Sequence, residues 1–476
     1  MNAPIMRLFG VVVLLFALLV IWTSRWTVFD SKALQANPLN ARTVIDEEKI
    51  DRGRILADDG SVLARSVRGA DGTYTRTYPT GSLFAQAVGY SITSEGESAG
   101  LELSRGSELR GLQTGLSSIF GQLGGSTQVG DDVYTSLDPK AQEVARAGIG
   151  THVGSVVALD PQTGAIKVMY SNPSYDDNDP KAAARCTNSC LVNLATEGLF
   201  PPGSTFKVVT TAAALDSGKF TPNSIINGKS PITVSGFPLE NDAGTSYGPV
   251  TLTKALTDSI NTVFAQVGQD VGRPTMESYM KRFGFYSLPP LDYPPDEMTA
   301  SGERTLRGKL LYPTSDQVDL GRMSIGQDKL LATPMQMAMV AGAVANGGKL
   351  MVPHLTTRVL NQDGQTVETI NPSVYSHVMS LQVAAEEAQM MTDVVEEGTG
   401  QAANLEGVKV AGKTGTASVG PTGEDLDDAW FIGFAPVAQP KVAVAVVLQN
   451  IPQGYGGTYA APIAAQVIKT LLGEGQ

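Results

Sequence analysis

Residues 8–24 carry no charged side chain, and the run is bracketed by Arg7 and Arg25. From Leu8 to Trp22 every residue is apolar except the neutral Gly10. As an α-helix this run is roughly 25 Å long, the short end of what crosses a bilayer. A cleaved secretory leader has a similar length but ends in a small-x-small pattern. Here Trp22-Thr23-Ser24-Arg25-Trp26 comes next instead. Trp22 and Trp26 suit the aromatic belt at a membrane interface. The expectation is one transmembrane anchor over 8–24, with a cytoplasmic tail over 1–7 and the rest of the chain outside the cytoplasm.

The polypeptide beyond the anchor must fold in more than one piece. A chain of 476 residues is too long for a single core. Its 42% hydrophobic and 17% charged content is that of a globular protein rather than a disordered one. Net charge is -12 and no basic block occurs, which disfavours nucleic acid as a partner, because phosphates are held by clustered Lys and Arg.

Residues 25–140 read as a β-rich module of short strands. Arg52-Gly53-Arg54-Ile55 runs into the turn signal Asp58-Asp59-Gly60, and Tyr78-Pro79-Thr80-Gly81 makes a further break. Asp138 followed by Pro139 predicts a helix start. Residues 141–476 read as a larger domain. Ser155–Leu159 and Ile166–Tyr170 are strand-like, joined by the turn Asp160-Pro161-Gln162-Thr163-Gly164. Helical patterns cover 204–217, 250–269 and Thr333–Ala345, the last stopping at Asn346-Gly347-Gly348. An apolar strand at 441–448 and a helix near 461–472 end the chain. Residues 287–315, with Pro289-Pro290 and Pro294-Pro295, read as a long loop. Strands at both ends around central helices predict an α/β (α+β) fold, one sheet with helices packed on it.

Three short motifs carry chemistry. Pro201-Pro202-Gly203 precedes Ser204-Thr205-Phe206-Lys207, which puts Ser204 at a helix start and Lys207 one turn on. A serine hydroxyl is a poor nucleophile without a base, and a lysine serves as one only when burial or a second cation lowers its pKa. Ser259-Ile260-Asn261 offers a hydroxyl for proton relay and an amide for a carbonyl. Lys413-Thr414-Gly415-Thr416 comes after an apolar stretch and reads as a strand edge, able to meet a carboxylate and to pair with an extended peptide. Gly415 would let a substrate backbone approach. Each motif alone has an ordinary reading: a capping serine, a helix surface turn, a Gly-Thr turn.

Cys186 and Cys190 are separated by the turn formers Thr187-Asn188-Ser189. In a loop this spacing permits a disulfide near the active-site rim, although two free thiols are the alternative. Three scattered histidines, His152, His354 and His377, accompany no Gly-x-Ser-x-Gly elbow and no zinc motif. No nucleotide-binding loop occurs, so no cofactor or metal is expected.

Taken together and in this order, the three motifs resemble those of the penicillin-binding proteins and serine β-lactamases. The resemblance runs from about Asn37 to the C-terminus. Arg52-Gly53-Arg54-Ile55 with Asp58-Asp59-Gly60 looks like the pedestal of the class B, monofunctional enzymes. Tyr78-Pro79 through Gly89-Tyr90, Thr333–Ala338 and Trp430-Phe431-Ile432-Gly433-Phe434 are similar to that class as well. Length and a small pedestal are most like the actinobacterial penicillin-binding protein A group. Ile260 stands where class A β-lactamases have Asp.

The resemblance implies a D,D-transpeptidase acting on peptidoglycan stem peptides and acylated by β-lactams. Ser204 would be the nucleophile and Lys207 the base, with Ser259 and Lys413 passing the proton to the leaving group. Asn261, Thr414, Gly415 and Thr416 would hold the donor, and the backbone N–H groups of Ser204 and Thr416 the oxyanion. It also implies a glycan polymerase of the shape and division family as partner. A β-lactamase and a catalytically idle sensor or scaffold are the rivals. The β-lactamase reading needs a water-activating glutamate. The nearest pattern, Glu303-Arg304-Thr305-Leu306-Arg307, reads instead as a surface glutamate kept ionised by its basic neighbours.

Overall fold

The computed structural model describes residues 2–25, 47–111, 129–183, 190–419 and 426–473. Trp26 and Cys186 fall outside them. The chain opens with helix α1 (Asn2–Ser24). Its window Pro4–Ser24 has a mean hydropathy of 2.7 and buries none of its length against the protein, so it is long and apolar enough to cross a membrane.

Strands β1 (Ile55–Leu56) and β2 (Val62–Arg68) form the expected hairpin. The Asp59 carboxylate accepts the Ser61 N–H at 2.8 Å and closes the turn. Strand β3 (Tyr74–Thr77) adds beside β2, and β4 (Asp132–Thr135) pairs parallel to β1. Helix α2 (Pro139–Ile149) then starts where the sequence places it, the Asp138 carboxylate accepting the Ala141 N–H at 2.8 Å. After the hairpin β5 (Gly154–Leu159) and β6 (Ile166–Asn172) come helices α3 (Lys207–Asp216), α4 (Leu252–Thr257), α5 (Asn261–Val271) and α6 (Pro334–Ala345). Strands β7 (Thr356–Leu360) and β8 (Thr366–Thr369), helix α7 (Leu381–Glu396), strands β9 (Ala411–Ser418), β10 (Leu426–Ala435) and β11 (Val442–Pro452), and helix α8 (Gly456–Leu471) complete the principal elements.

The second sheet is five-stranded and antiparallel, in the order β9-β10-β11-β5-β6. It is covered on both faces, which is why its strands read as continuous apolar runs instead of alternating ones. Phe431, Val444 and Val446 pack on one face with Ala145, Ile149, Ala464 and Ile468 of α2 and α8. Their neighbours Trp430, Ile432, Ala445 and Val447 point the other way, into the core that holds α3, α5 and α6. The order leaves β9, which carries Lys413–Thr416, at an edge.

The first sheet is six-stranded, in the order β8-β7-β4-β1-β2-β3. Two of its strands come from 356–369, a stretch the sequence reading leaves wholly in the larger domain. The reason is non-local: β7 pairs with β4 across the chain, Val359 opposite Val133, and no local pattern announces that partner. The loop expected over 287–315 also contains structure. Gly302–Arg304 pairs with Leu310–Leu311 and with Leu330–Leu331. Strands of two or three residues are too short to show a period.

The first sheet is held by a buried ionic cluster. Glu102 accepts from Arg52 at 2.8 Å and from Arg76 at 2.5 Å, with its own side chain fully buried. Burial alone would raise the Glu102 carboxyl; the charges and hydrogen bonds of Arg76 and Arg52 outweigh it and hold the group below its usual value. Arg105 ties this region to the larger domain by meeting Asp292 at 3.2 Å, and it pairs with Glu368 of β8 in the same sheet at 3.1 Å.

Candidate active site

The segment leading to Ser204 is fixed from three sides. The Trp430 indole N–H donates to the Pro201 carbonyl at 3.0 Å. The Gly203 N–H donates to the Gly326 carbonyl at 3.0 Å. Gly203 itself has φ +52°, and a Cβ there would sit 2.9 Å from the Thr416 carbonyl oxygen, so both the turn and the contact with β9 demand glycine. Ser204 lies in the 3-10 turn Gly203–Phe206, and Lys207 is the first residue of α3. In a 3-10 turn residues three apart eclipse, which brings the two side chains to one side.

Sequence periodicity predicts one helix over 250–269. The structure breaks it at Asp258-Ser259-Ile260, between α4 and α5. The Ile260 N–H reaches the Ala255 carbonyl at 2.8 Å and the Ser259 N–H the Leu256 carbonyl at 3.2 Å, the paired bonds of a Schellman cap. Ser259 occupies the left-handed position of that cap, φ +58°, where glycine is usual and another residue costs roughly 1–2 kcal/mol. The strain places its hydroxyl between two lysines.

The Lys207 amine lies 2.7 Å from the Ser259 carbonyl, 2.8 Å from the Asn261 Oδ1 and 3.2 Å from the Ser259 hydroxyl. From the opposite wall, the Lys413 amine lies 3.0 Å from the same hydroxyl and 3.1 Å from the Thr414 carbonyl. Both lysines are fully buried, and no ion pair to either occurs among the described residues. Burial, reinforced by the charge of Lys413, holds the Lys207 amine well below the ordinary lysine range. Burial brings Lys413 down to about 7. Two buried amines without a carboxylate are suited to exchanging protons near neutrality.

Ser204, Ser259, Asn261, Thr414 and Thr416 line one open cleft of about 710 Å³. Gly415 meets its own chain: a Cβ there would lie 2.8 Å from the Pro202 carbonyl oxygen. The close approach it allows is therefore between β9 and the nucleophile segment. Cys190 is disulfide-bonded; the expected partner Cys186 lies outside the described residues.

Two features escaped the sequence reading, one in the site and one outside it. Thr399 lines the cleft, and its hydroxyl lies 2.6 Å from that of Thr414. The flanking Gly398 and Gly400 were the available signal of a close approach; a Cβ on Gly398 would lie 2.4 Å from the Thr257 carbonyl oxygen. Glu303 is not the exposed, ionised glutamate expected. It is fully buried on its short strand, accepts the Tyr286 hydroxyl at 2.6 Å and leaves its other oxygen unpartnered. Burial pushes it up to about 7. Of its basic neighbours only Arg304 shares the strand, on the opposite face; Arg307 and Lys309 are exposed in and just after the following turn, and Glu303 does not line the cleft.

Residues 154–469 match the penicillin binding protein transpeptidase domain, and residues 52–133 match the penicillin binding protein A dimerisation domain. The chain belongs to the penicillin-binding transpeptidase family. Among its relatives, the peptidoglycan D,D-transpeptidase PbpA of Mycolicibacterium smegmatis is 35% identical, with all of both chains covered. PbpA of Mycobacterium tuberculosis is 34% identical over 99% of each chain. The structure is similar to that of penicillin-binding protein A from M. tuberculosis as its penicillin G acyl-enzyme complex. The TM-score is 0.78 at 32% identity, over 89% of this chain and 99% of that one.

Proposed function

We propose that this chain is a membrane-anchored peptidoglycan D,D-transpeptidase that cross-links stem peptides through an acyl-enzyme on Ser204. The observation that carries the reading is the Lys207 amine, buried without a carboxylate and one turn from Ser204 in an open cleft. Lys207 takes the Ser204 proton as the oxygen attacks the carbonyl between the last two D-alanines. The backbone N–H groups of Ser204 and Thr416 hold the oxyanion. When the tetrahedral centre collapses, the C–N bond breaks and the proton reaches the leaving D-alanine amine by way of Ser259 and Lys413. Asn261 positions the donor, Thr414 and Thr416 take its terminal carboxylate, and Gly415 keeps β9 close to the nucleophile. The amine of a second stem peptide then attacks the ester, forms the new amide, and returns a proton to Ser204. β-Lactams enter the first half of this cycle as substrate mimics.

The same reading divides the labour along the chain. Residues 1–7 form a cytoplasmic tail, 8–24 a single transmembrane anchor, 25–140 the pedestal and 141–476 the transpeptidase domain, which lends β7 and β8 to the pedestal sheet. The catalytic domain works outside the cytoplasm, where a Cys186–Cys190 disulfide is at home. Cys186 is the only other cysteine in the chain. A monofunctional cross-linker needs glycan made elsewhere, and a membrane-embedded polymerase of the shape and division family, touching the anchor and pedestal, supplies it.

The full chain in detergent, treated with penicillin G and analysed by intact and peptide mass, should gain one adduct, mapped to Ser204 and lasting many minutes. An adduct on another residue, or sustained hydrolysis of the drug at seconds per cycle, sinks the reading.

A further inference from the structure

Thr399 has no role in the acyl transfer set out above, yet it touches three of the elements around the cleft. Its N–H donates to the Thr257 carbonyl at 3.3 Å, at the end of α4, just before the turn that carries Ser259. Its carbonyl lies against Gly457 at the start of α8, where a Cβ would come within 2.4 Å. Its hydroxyl lies 2.6 Å from the Thr414 hydroxyl on β9. The backbone of Thr399 is thus clamped on two sides, and its hydroxyl is presented to Thr414 in a fixed position.

A hydroxyl has one proton to donate and two lone pairs. Only one of the two protons can lie between Thr399 and Thr414. If Thr414 donates to Thr399, it has nothing left to offer a ligand. If Thr399 donates to Thr414, the Thr414 proton is free to point into the cleft. An ionised carboxylate is acceptor-only, so its arrival selects the second arrangement. Thr416, two residues along the same strand face, is already set that way: its oxygen accepts the Gly456 N–H at 3.4 Å, which leaves its proton for the cleft. Thr414 is only 6% exposed, so a carboxylate must meet it through the cleft mouth that Thr399 borders.

We propose that Thr399 is a specificity-determining positioning residue, which by donating to Thr414 turns that hydroxyl into a dedicated donor for the terminal carboxylate of the ligand. The proposal rests on the transpeptidase reading and adds to it a source for carboxylate recognition. The donating chain is Thr399 Oγ1–H to Thr414 Oγ1, then Thr414 Oγ1–H to the carboxylate. No bond other than hydrogen bonds changes.

The test compares penicillin G with its methyl ester, which cannot present an anionic acceptor, on the full chain in detergent. Thr399→Val keeps the shape and removes the hydroxyl; Thr399→Ser keeps the hydroxyl. In Thr399→Val the second-order acylation constant for the acid should fall about tenfold or more, the size of one hydrogen bond to a charged group. The constant for the ester, already low, should fall by much less, and Thr399→Ser should restore the acid-to-ester ratio. Equal losses for acid and ester in Thr399→Val, or no recovery of the ratio in Thr399→Ser, overturn the proposal while leaving the transpeptidase reading intact. Absence of any wild-type acylation removes both.

Discussion

Two buried clusters of charged residue types sit in different parts of this molecule and behave in opposite ways. In the pedestal sheet, Arg52 and Arg76 enclose Glu102, and every member keeps a partner of opposite sign. Beside the cleft, Lys207 and Lys413 share the Ser259 hydroxyl, and among the described residues neither has an ion-pair partner. Both clusters are removed from water, so desolvation penalises charge in each. Where a counter-ion is supplied, the carboxylate stays ionised and the cluster acts as a rivet. Where it is withheld, the amines lose affinity for their protons. The same burial thus keeps charge in one place and sheds it in the other, and what decides is a single carboxylate.

The sharpest way to break the contrast is at Lys207. Lys207→Met keeps most of the buried volume and removes the amine. Acylation by penicillin should fall by ~10²–10⁴-fold, the range of general base catalysis. Stability should move by less than about 2 kcal/mol in a denaturant melt, since only hydrogen bonds to neutral acceptors are lost. In the wild type, acylation should rise with pH as the amine sheds its proton. That rise should fall well below the ordinary lysine value of 10.5, because burial favours the neutral form. A profile still climbing at that pH would contradict the neutral-amine account.

Glu102→Ala should show the converse. It leaves two buried guanidinium groups unpaired, which costs about 3–5 kcal/mol of stability. Folded protein should still acylate at the wild-type rate. Arg54→Ala, which breaks an ion pair whose arginine is half exposed, should cost under about 1 kcal/mol, so that burial and not pairing as such accounts for the effect.

Glu303 lies between the two cases: a buried carboxyl with a hydrogen-bond donor but no cation. Its folded pKa is raised from 4.5 to about 7. The folded state therefore holds the proton more tightly than the unfolded chain does. This contribution is complete below pH 4.5 and is lost as pH rises towards 7. At ~1.4 kcal/mol per unit the loss is about 3 kcal/mol. Glu303→Gln should flatten the fall in stability over that window. An unchanged slope would place the titration elsewhere.

Much of this was legible in the sequence because it is local. The Asp138 cap, the hairpins at 58–60 and 160–164, the apolar N-terminal helix and the spacing of Ser204 to Lys207 each depend on neighbours within a turn or two. The features that escaped were set by distant partners. The helical period over 250–269 is real, but the cap at Ser259 interrupts it without a glycine to mark the place. Thr399 gains its meaning only from Thr414, fifteen residues away along the chain and 2.6 Å away in space. The ring of charge around Glu303 in sequence disappears once Arg304 takes the other face of a three-residue strand and the exposed turn carries Arg307 and Lys309 away.

The pairing of β7 with β4 also bears on how such a protein can be divided or rearranged in evolution. The polypeptide visits the pedestal twice, once before the catalytic elements and once from their midst. A gene fragment that began after residue 135 would still encode β7 and β8, but as a hairpin with one long side bare. That side is a template for another chain, and the expected fate is aggregation rather than a smaller enzyme. The transpeptidase half cannot be lifted out at a single cut; it carries with it an obligation to the sheet that precedes it.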